Sequence, residues 1–412
     1  VFSKLLLIMC HLKFILLIGL TIFSCQNAKQ KYLEASSYRG LINVANDKAL
    51  AFNFMVTDST HLEVYNANEI IYVDEVSYKK DSVIIKLPVF EGYLKAAITD
   101  KGLNGYFRID GLNRSVPFKA INGISKRYDT SEEANINLTG LWEITFNKAK
   151  ALGGSKGLAM FQQNQNKVTG TIRTTTGDHR YLEGVLDGNI LKLSAFDGAH
   201  AFYYEAKVQG DQLEGVFYSG NHYTATINGK MNPDFKLASG DTLTYLKPGY
   251  DKLSFAFPDA NGKPVSLDDK KFKDKVTVVQ LMGSWCPNCL DETRFFKSYI
   301  EQHKNLPLEF VGLAFEYSKS EDQAFERIKR LQDRLEIDYP ILLAQYGSTS
   351  KTSAQEKLPM LNAVLSYPTS IIVDKKGKVR YIHSGFDGPA TGKPYEIYTR
   401  KFDSIINNLA VE

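Results

Sequence analysis

From about Tyr38 to Met231 the chain keeps to a single period. Short alternating segments such as Val83-Ile84-Ile85-Lys86-Leu87, Val168-Thr169-Gly170-Thr171-Ile172 and Ile190-Leu191-Lys192-Leu193 are separated by turn signals such as Asp187-Gly188-Asn189 and Gln209-Gly210-Asp211. No long 3.6-residue pattern interrupts them. The region is also repeated within itself. Lys86-Leu87-Pro88-Val89-Phe90-Glu91-Gly92 mirrors Lys192-Leu193-Ser194-Ala195-Phe196-Asp197-Gly198, and Leu103-Asn104-Gly105-Tyr106-Phe107 matches Leu213-Glu214-Gly215-Val216-Phe217. Ala120-Ile121-Asn122-Gly123 and Thr226-Ile227-Asn228-Gly229 follow in the same order, which predicts an internal duplication with copies at 38–124 and 138–231. The polar stretch Ser125 to Asn137 is the expected seam. Each copy carries enough meander strands for one small barrel or half of a larger one, so the expected fold is a duplicated antiparallel all-β, barrel-like region. Phe202, Tyr203, Tyr204, Phe217, Tyr218 and Tyr223 are candidates to line a ligand cavity, but alternating aromatics are what any sheet uses, and strand packing is the favoured reading.

After a linker expected over 232–252, the pattern changes. Lys275 to Met282 reads as a compact strand, followed by a helical stretch to about His303, a strand Leu308 to Ala314, a helix around Glu321 to Leu335, and a strand over Tyr339 to Ala344. Then come Ser370 to Val373, a turn at Asp374-Lys375-Lys376-Gly377, a strand Val379 to His383 and a last helix from about Tyr395 to Leu409. Alternating strands and helices that end in a hairpin and a helix predict an α/β domain over 253–412 with a mixed sheet.

Composition enters mainly by exclusion. The chain has 412 residues, 43% hydrophobic and 23% charged, which suits two or three globular domains and excludes disorder. Its formal net charge is +4, and Lys4 and Lys13 lie in an expected leader, which leaves +2 and no footprint for nucleic acid. The leader rests on Phe14 to Phe23, an uncharged apolar run too short to span a membrane comfortably, for which ~20 residues are needed. Ile22-Phe23-Ser24-Cys25, followed at once by the polar stretch Gln26 to Lys31, resembles a bacterial lipobox. The resemblance implies a signal peptide over 1–24, lipidation of Cys25, a tether over 25–37, and an exported chain anchored to a membrane and facing the periplasm.

Of the four cysteines, Cys10 lies in the leader and takes no role. The remaining pair sits in Trp285-Cys286-Pro287-Asn288-Cys289, a C-x-x-C between a predicted strand and a predicted helix. There the helix N-terminus offers unpaired amides and positive dipole charge to the first sulfur, favouring thiolate over thiol. In such sites the attacking cysteine titrates anywhere from ~3.5 to ~7.5, against about 8.5 for a free thiol. Cys286 is therefore the expected nucleophile, exposed at the helix tip, and Cys289 the resolving sulfur one turn inward.

The region from about Leu253 to Leu409 resembles the thioredoxin fold, in its TlpA/ResA-like branch of exported thiol-disulfide oxidoreductases. Besides the C-x-x-C, the resemblance rests on Phe255-Ala256-Phe257-Pro258-Asp259 with Gly262-Lys263-Pro264-Val265-Ser266-Leu267, and on Ser366-Tyr367-Pro368-Thr369 with Val373-Asp374-Lys375-Lys376-Gly377. It implies a cis-proline at Pro368 facing the cysteine pair, with Tyr367 and Thr369 beside an extended substrate strand and Trp285 over the disulfide. It also implies Glu292 as proton acceptor for Cys289, weighed equally against a surface acid at a helix N-terminus. Glu316, just past the strand Leu308 to Ala314, is a second acid that could point at the site, with a solvated loop acid the favoured reading. Protein thiols or disulfides are the implied substrates, a membrane electron donor of the thiol-relay type is the implied partner, and no cofactor is implied. A peroxidase is the main alternative, but its P-x-x-x-T/S-x-x-C pattern meets Val279 and Gly283 here. A ligand-binding lipoprotein with a secondary redox domain is another, although His61, His179, His200 and His222 are scattered. A zinc site lacks a second ligand pair, and a c-type haem would need histidine where Leu290 stands.

Overall fold

The computed structural model describes residues 30–112, 114–147 and 155–412. The leader and Cys25 lie outside them. Among the described residues no helix is long and apolar enough to cross a membrane.

The period-two segments become two antiparallel barrel-like sheets. In the first, nine strands run from Ser36–Asn43 to Arg114–Asn122, with the first strand hydrogen-bonded to the last. The barrel stays split between Glu69–Val73 and Glu75–Lys79, which are consecutive but unpaired. The second sheet closes completely: Gly140–Asn147 pairs with both Ser155–Asn164 and Tyr223–Met231, and Ser155–Asn164 continues the ring to Lys167–Thr174. Inward positions alternate with solvated ones, as in Leu182–Asp187. Phe52, Phe54 and Phe118 fill the first interior, and Trp142, Tyr204 and Phe217 the second. At roughly 1.5–3 kcal/mol for each large apolar side chain removed from water, these interiors supply the driving force for closure.

The repeat recurs in the register. Ala96 stands opposite Gly105 in the first sheet and Ala206 opposite Gly215 in the second. In both places a Cβ on the glycine would come 2.5 Å from the alanine Cα, so the strands approach too closely for a side chain. The mirrored loops also touch each other: a Cβ on Gly92 would lie 1.9 Å from the carbonyl oxygen of Gly198.

The polar seam is more than a connector. Arg127 is buried between the two sheets and donates to Ser194 O (3.2 Å) and Ala51 O (3.4 Å). Tyr128 receives the Ala51 amide at 3.2 Å. The expected linker is likewise pinned to the C-terminal domain, where Tyr245 N donates to Asn362 Oδ1 (2.8 Å) and Leu246 bridges to Leu361. Single polar side chains and one isolated backbone bridge make these attachments, which is why periodicity did not reveal them.

In the C-terminal domain Val276–Met282, buried at every position, is the centre of a five-stranded sheet. Leu308–Phe315 and Ile341–Gln345 extend it in parallel on one side, and Thr369–Val373 and Val379–Ser384 antiparallel on the other. Helices Pro287–Gln302, Glu321–Leu335 and Lys393–Val411 accompany it. A further helix, Lys351–Lys357, has no apolar period to announce it, because its seven residues are largely polar; Ser350 caps it and only Ala354 is buried.

Candidate active site

The central strand ends at Met282, and the chain turns through Gly283, Ser284 and Trp285 into the helix. Gly283 is required there, since a Cβ would lie 2.2 Å from Trp285 Nε1. Pro287 occupies the first helical turn, where its missing N–H is no loss. Cys286 is the N-cap, and the amide of Cys289 points at its Sγ from 3.2 Å. The two cysteines are joined as a disulfide. Opposite them the Tyr367–Pro368 bond is cis, and Tyr367 O lies 3.5 Å from Cys286 Sγ. Thr369 is fully buried, its hydroxyl bonded to Ser366 O at 2.9 Å, so its side chain shapes the loop. Trp285 is half-buried, donates to Phe315 O (2.9 Å) and meets the Tyr367 ring edge-on at 6.0 Å.

Cys286 is not exposed as expected. It is 6% accessible and Cys289 is 0%. The second β unit packs around the site. Its segment from Arg173 to Arg180 lies over the helix tip, with Asn288 Nδ2 donating to Asp178 O (3.2 Å) and Gly388 N to Asp178 Oδ2 (2.7 Å). Ser366 Oγ, next to the cis-proline loop, donates to Thr176 O at 2.8 Å. Arg173 grips Asp387 with both arms at 2.7 and 2.6 Å. Arg180 donates to Pro287 O (3.2 Å) and pairs with Asp291 of the active-site helix and with Glu69 of the first β unit. Burial pushes the Asp178 carboxyl up to about 6, and the nearby Asp291 charge adds to the rise.

Two more carboxyls lie beneath the pair. Glu292 is fully buried, so the surface-acid alternative does not hold. It accepts from Ser370 Oγ (2.6 Å), Gln280 Nε2 (2.9 Å) and Tyr398 OH (3.1 Å), and burial raises its pKa. Gln280 Nε2 also reaches Cys289 O at 3.3 Å, linking this acid to the backbone of the resolving cysteine. Glu316 is buried too, contrary to the solvated reading, because Ser284 folds over it with N at 2.7 Å and Oγ at 2.8 Å. Burial pushes it up to about 7. Arg180, Asp178 and Ser370 had no signal in the sequence, since their partners lie on other units or far along the chain.

The aromatic set of the second β unit packs. Tyr204 and Phe217 stack at 4.6 Å in its interior, and Tyr203 and Tyr218 stack at 5.9 Å against the first unit. His179 belongs to this packing, bonded to Tyr204 OH and pushed down to about 3 by burial.

A disulfide capping the helix that follows the central strand, faced by a cis-proline loop, defines a thiol-disulfide oxidoreductase site in a thioredoxin-type domain. The family model and the sequence relatives agree on that class. The Redoxin family model matches residues 228–396. The thiol-disulfide oxidoreductase ResA of Bacillus thuringiensis subsp. konkukian is 25% identical over 156 residues, which is 38% of this chain and 79% of the relative. The sporulation thiol-disulfide oxidoreductase A of Bacillus subtilis is 22% identical over 147 residues, 36% of this chain and 78% of the relative. Among solved structures, a thiol:disulfide interchange protein from Chlorobium tepidum TLS is 20% identical and covers 39% of this chain and 95% of its own, with a TM-score of 0.29.

Proposed function

We propose that this protein is an exported disulfide reductase, lipid-anchored at Cys25 and acting on protein disulfides on the periplasmic side of a membrane. The observation that carries the chemistry is the Cys286–Cys289 pair at the helix N-terminus, with the Cys289 amide on Cys286 Sγ and the Tyr367 carbonyl across from it. Export and anchoring rest on the leader and on Cys25.

In the reduced protein the Cys286 thiolate, stabilised by the amide and the helix dipole, attacks one sulfur of a substrate disulfide. A Cys286–substrate disulfide forms, and the other substrate sulfur leaves as a thiolate that takes up a proton. Cys289 then gives its proton to the buried Glu292 carboxylate and attacks Cys286 Sγ, releasing the second substrate thiolate, which is protonated in turn. The substrate gains two electrons and two protons, and the protein is left with the Cys286–Cys289 disulfide. Trp285 and Tyr367 frame the approach and Pro368 holds the Tyr367 carbonyl in place. An external dithiol of the membrane thiol-relay type returns the pair to the reduced state, since the one other cysteine of the mature chain, Cys25, carries the lipid.

Equilibration of the full chain against a glutathione or dithiothreitol redox series tests the direction of flow. A reductase gives a potential toward the thioredoxin value of about −270 mV, whereas a value near the DsbA end, about −120 mV, contradicts it.

A further inference from the structure

Beside Trp285 the two β units and the thioredoxin-type domain enclose a cleft of about 360 Å³. Phe90, Phe202, Trp285 and Tyr317 give it apolar walls, and Ser284 and Trp285, the two residues before Cys286, lie along its lining. Its charges are unequally matched. Arg327 is committed to Glu91 and lies 4.2 Å above the Tyr317 ring, whose hydroxyl also donates to Glu91 at 3.2 Å. His200 faces Asp197, with its amide 2.6 Å from Oδ1 and its ring Nδ1 3.3 Å from Oδ2. His222 is pushed down to about 4 by burial and then by Arg114, so it is neutral near pH 7. Arg114 is left: half-buried, and without a carboxylate or hydrogen-bond partner among the described residues.

A partly desolvated guanidinium without an anion is unfavourable, and its planar fork is complementary to a carboxylate. The depth of the site argues further. Cys286 is 6% accessible, and the Arg173 to Arg180 segment packs against the cis-proline loop and the helix tip, which favours a narrow extended segment over a broad folded surface. We propose that the cleft receives an extended, cysteine-bearing peptide segment with a carboxylate side chain near its cysteine, the carboxylate seating on Arg114 while the disulfide reaches Cys286 past Trp285. This rests on the thiol-disulfide reading above and names its substrate class; the exchange is the two-electron step already written, with Cys286–Cys289 oxidised and the peptide disulfide reduced.

The test is single-turnover reduction by the pre-reduced full chain of synthetic peptides that share one internal disulfide and differ only in Asp, Asn or Lys beside the cysteine. The neutral compound 4,4′-dithiodipyridine is run in parallel. The Asp peptide is expected to react about tenfold faster than the Asn peptide, the scale of one charge-assisted contact. Arg114→Gln brings that ratio to about one, and Arg114→Glu turns the preference toward Lys. A ratio near one in the unaltered protein, or a ratio that Arg114→Gln leaves in place, overturns the proposal while dithiodipyridine is still reduced. If dithiodipyridine is not reduced either, the thiol-disulfide reading itself fails and takes this proposal with it.

Discussion

The Glu316 carboxyl, held by Ser284 just before Trp285, makes the site sensitive to pH. Its ordinary value is 4.5 and burial lifts it to about 7 in the folded protein, so the native state holds this proton more tightly than the unfolded chain does. Its contribution is therefore fully present below about pH 4.5 and is lost as pH rises through about 7, roughly 3 kcal/mol over the window. Glu316→Gln keeps an acceptor for the Ser284 amide but removes the titration. Denaturant unfolding of the variant is expected to show a flatter stability profile between about pH 5 and pH 8 than the parent; parallel profiles contradict the assignment. The position of Glu316 just past a strand is legible in the sequence, but its burial is not, because the residue that covers it, Ser284, is brought there only by the turn into the active-site helix. Glu292 was legible further, since its spacing from Cys289 put it on the same helical face; its bonds to Ser370 and Tyr398 were not, since both come from other elements.

Among the elements, the segment from Arg173 to Arg180 most alters what the active-site helix can do. Arg180 is its anchor, buried among Glu69, Asp197 and Asp291, and these carboxylates raise its pKa further against the opposing effect of burial. Arg180→Met removes the buried cation that three carboxylates share, a change on the scale of about 3–5 kcal/mol for a broken buried ion pair. The expected consequence is a loosened segment and a more accessible Cys286. Iodoacetamide alkylation of the reduced protein at about pH 9, where free thiols are ionised, is then several-fold faster in the variant; equal rates show that this segment does not shield the sulfur. The helix, its cysteine pair and the cis-proline loop could all be read from local motifs. The cover could not, because Gly177-Asp178-His179-Arg180 reads as an ordinary turn, and Arg180 meets Asp291 only after two domains have folded and docked.

At the scale of the molecule, two β units and a redox domain are legible in the periodicity and motifs of the chain, whereas their joining depends on contacts between distant segments. Val89 and Phe90, from a loop of the first unit, pack into the core of the thioredoxin-type domain, and Gly198, from the mirrored loop of the second, borders the same cleft. The partly exposed pairs of Arg330 and Arg334 with Glu75 and Asp74 add little stability individually, whereas the buried Arg127 and Arg180 fix the relative placement of the units. The duplicated region thus forms part of the wall around the dithiol. The central claim remains the chemistry of Cys286 and Cys289, and the most direct measurement is peptide mapping by mass spectrometry of adducts formed when single-cysteine variants meet a disulfide substrate. Cys289→Ser is expected to accumulate a mixed disulfide at Cys286, and Cys286→Ser to accumulate none and to lose exchange activity. Equal activity in both variants and the parent, or an adduct that forms at Cys289 alone, contradicts the account.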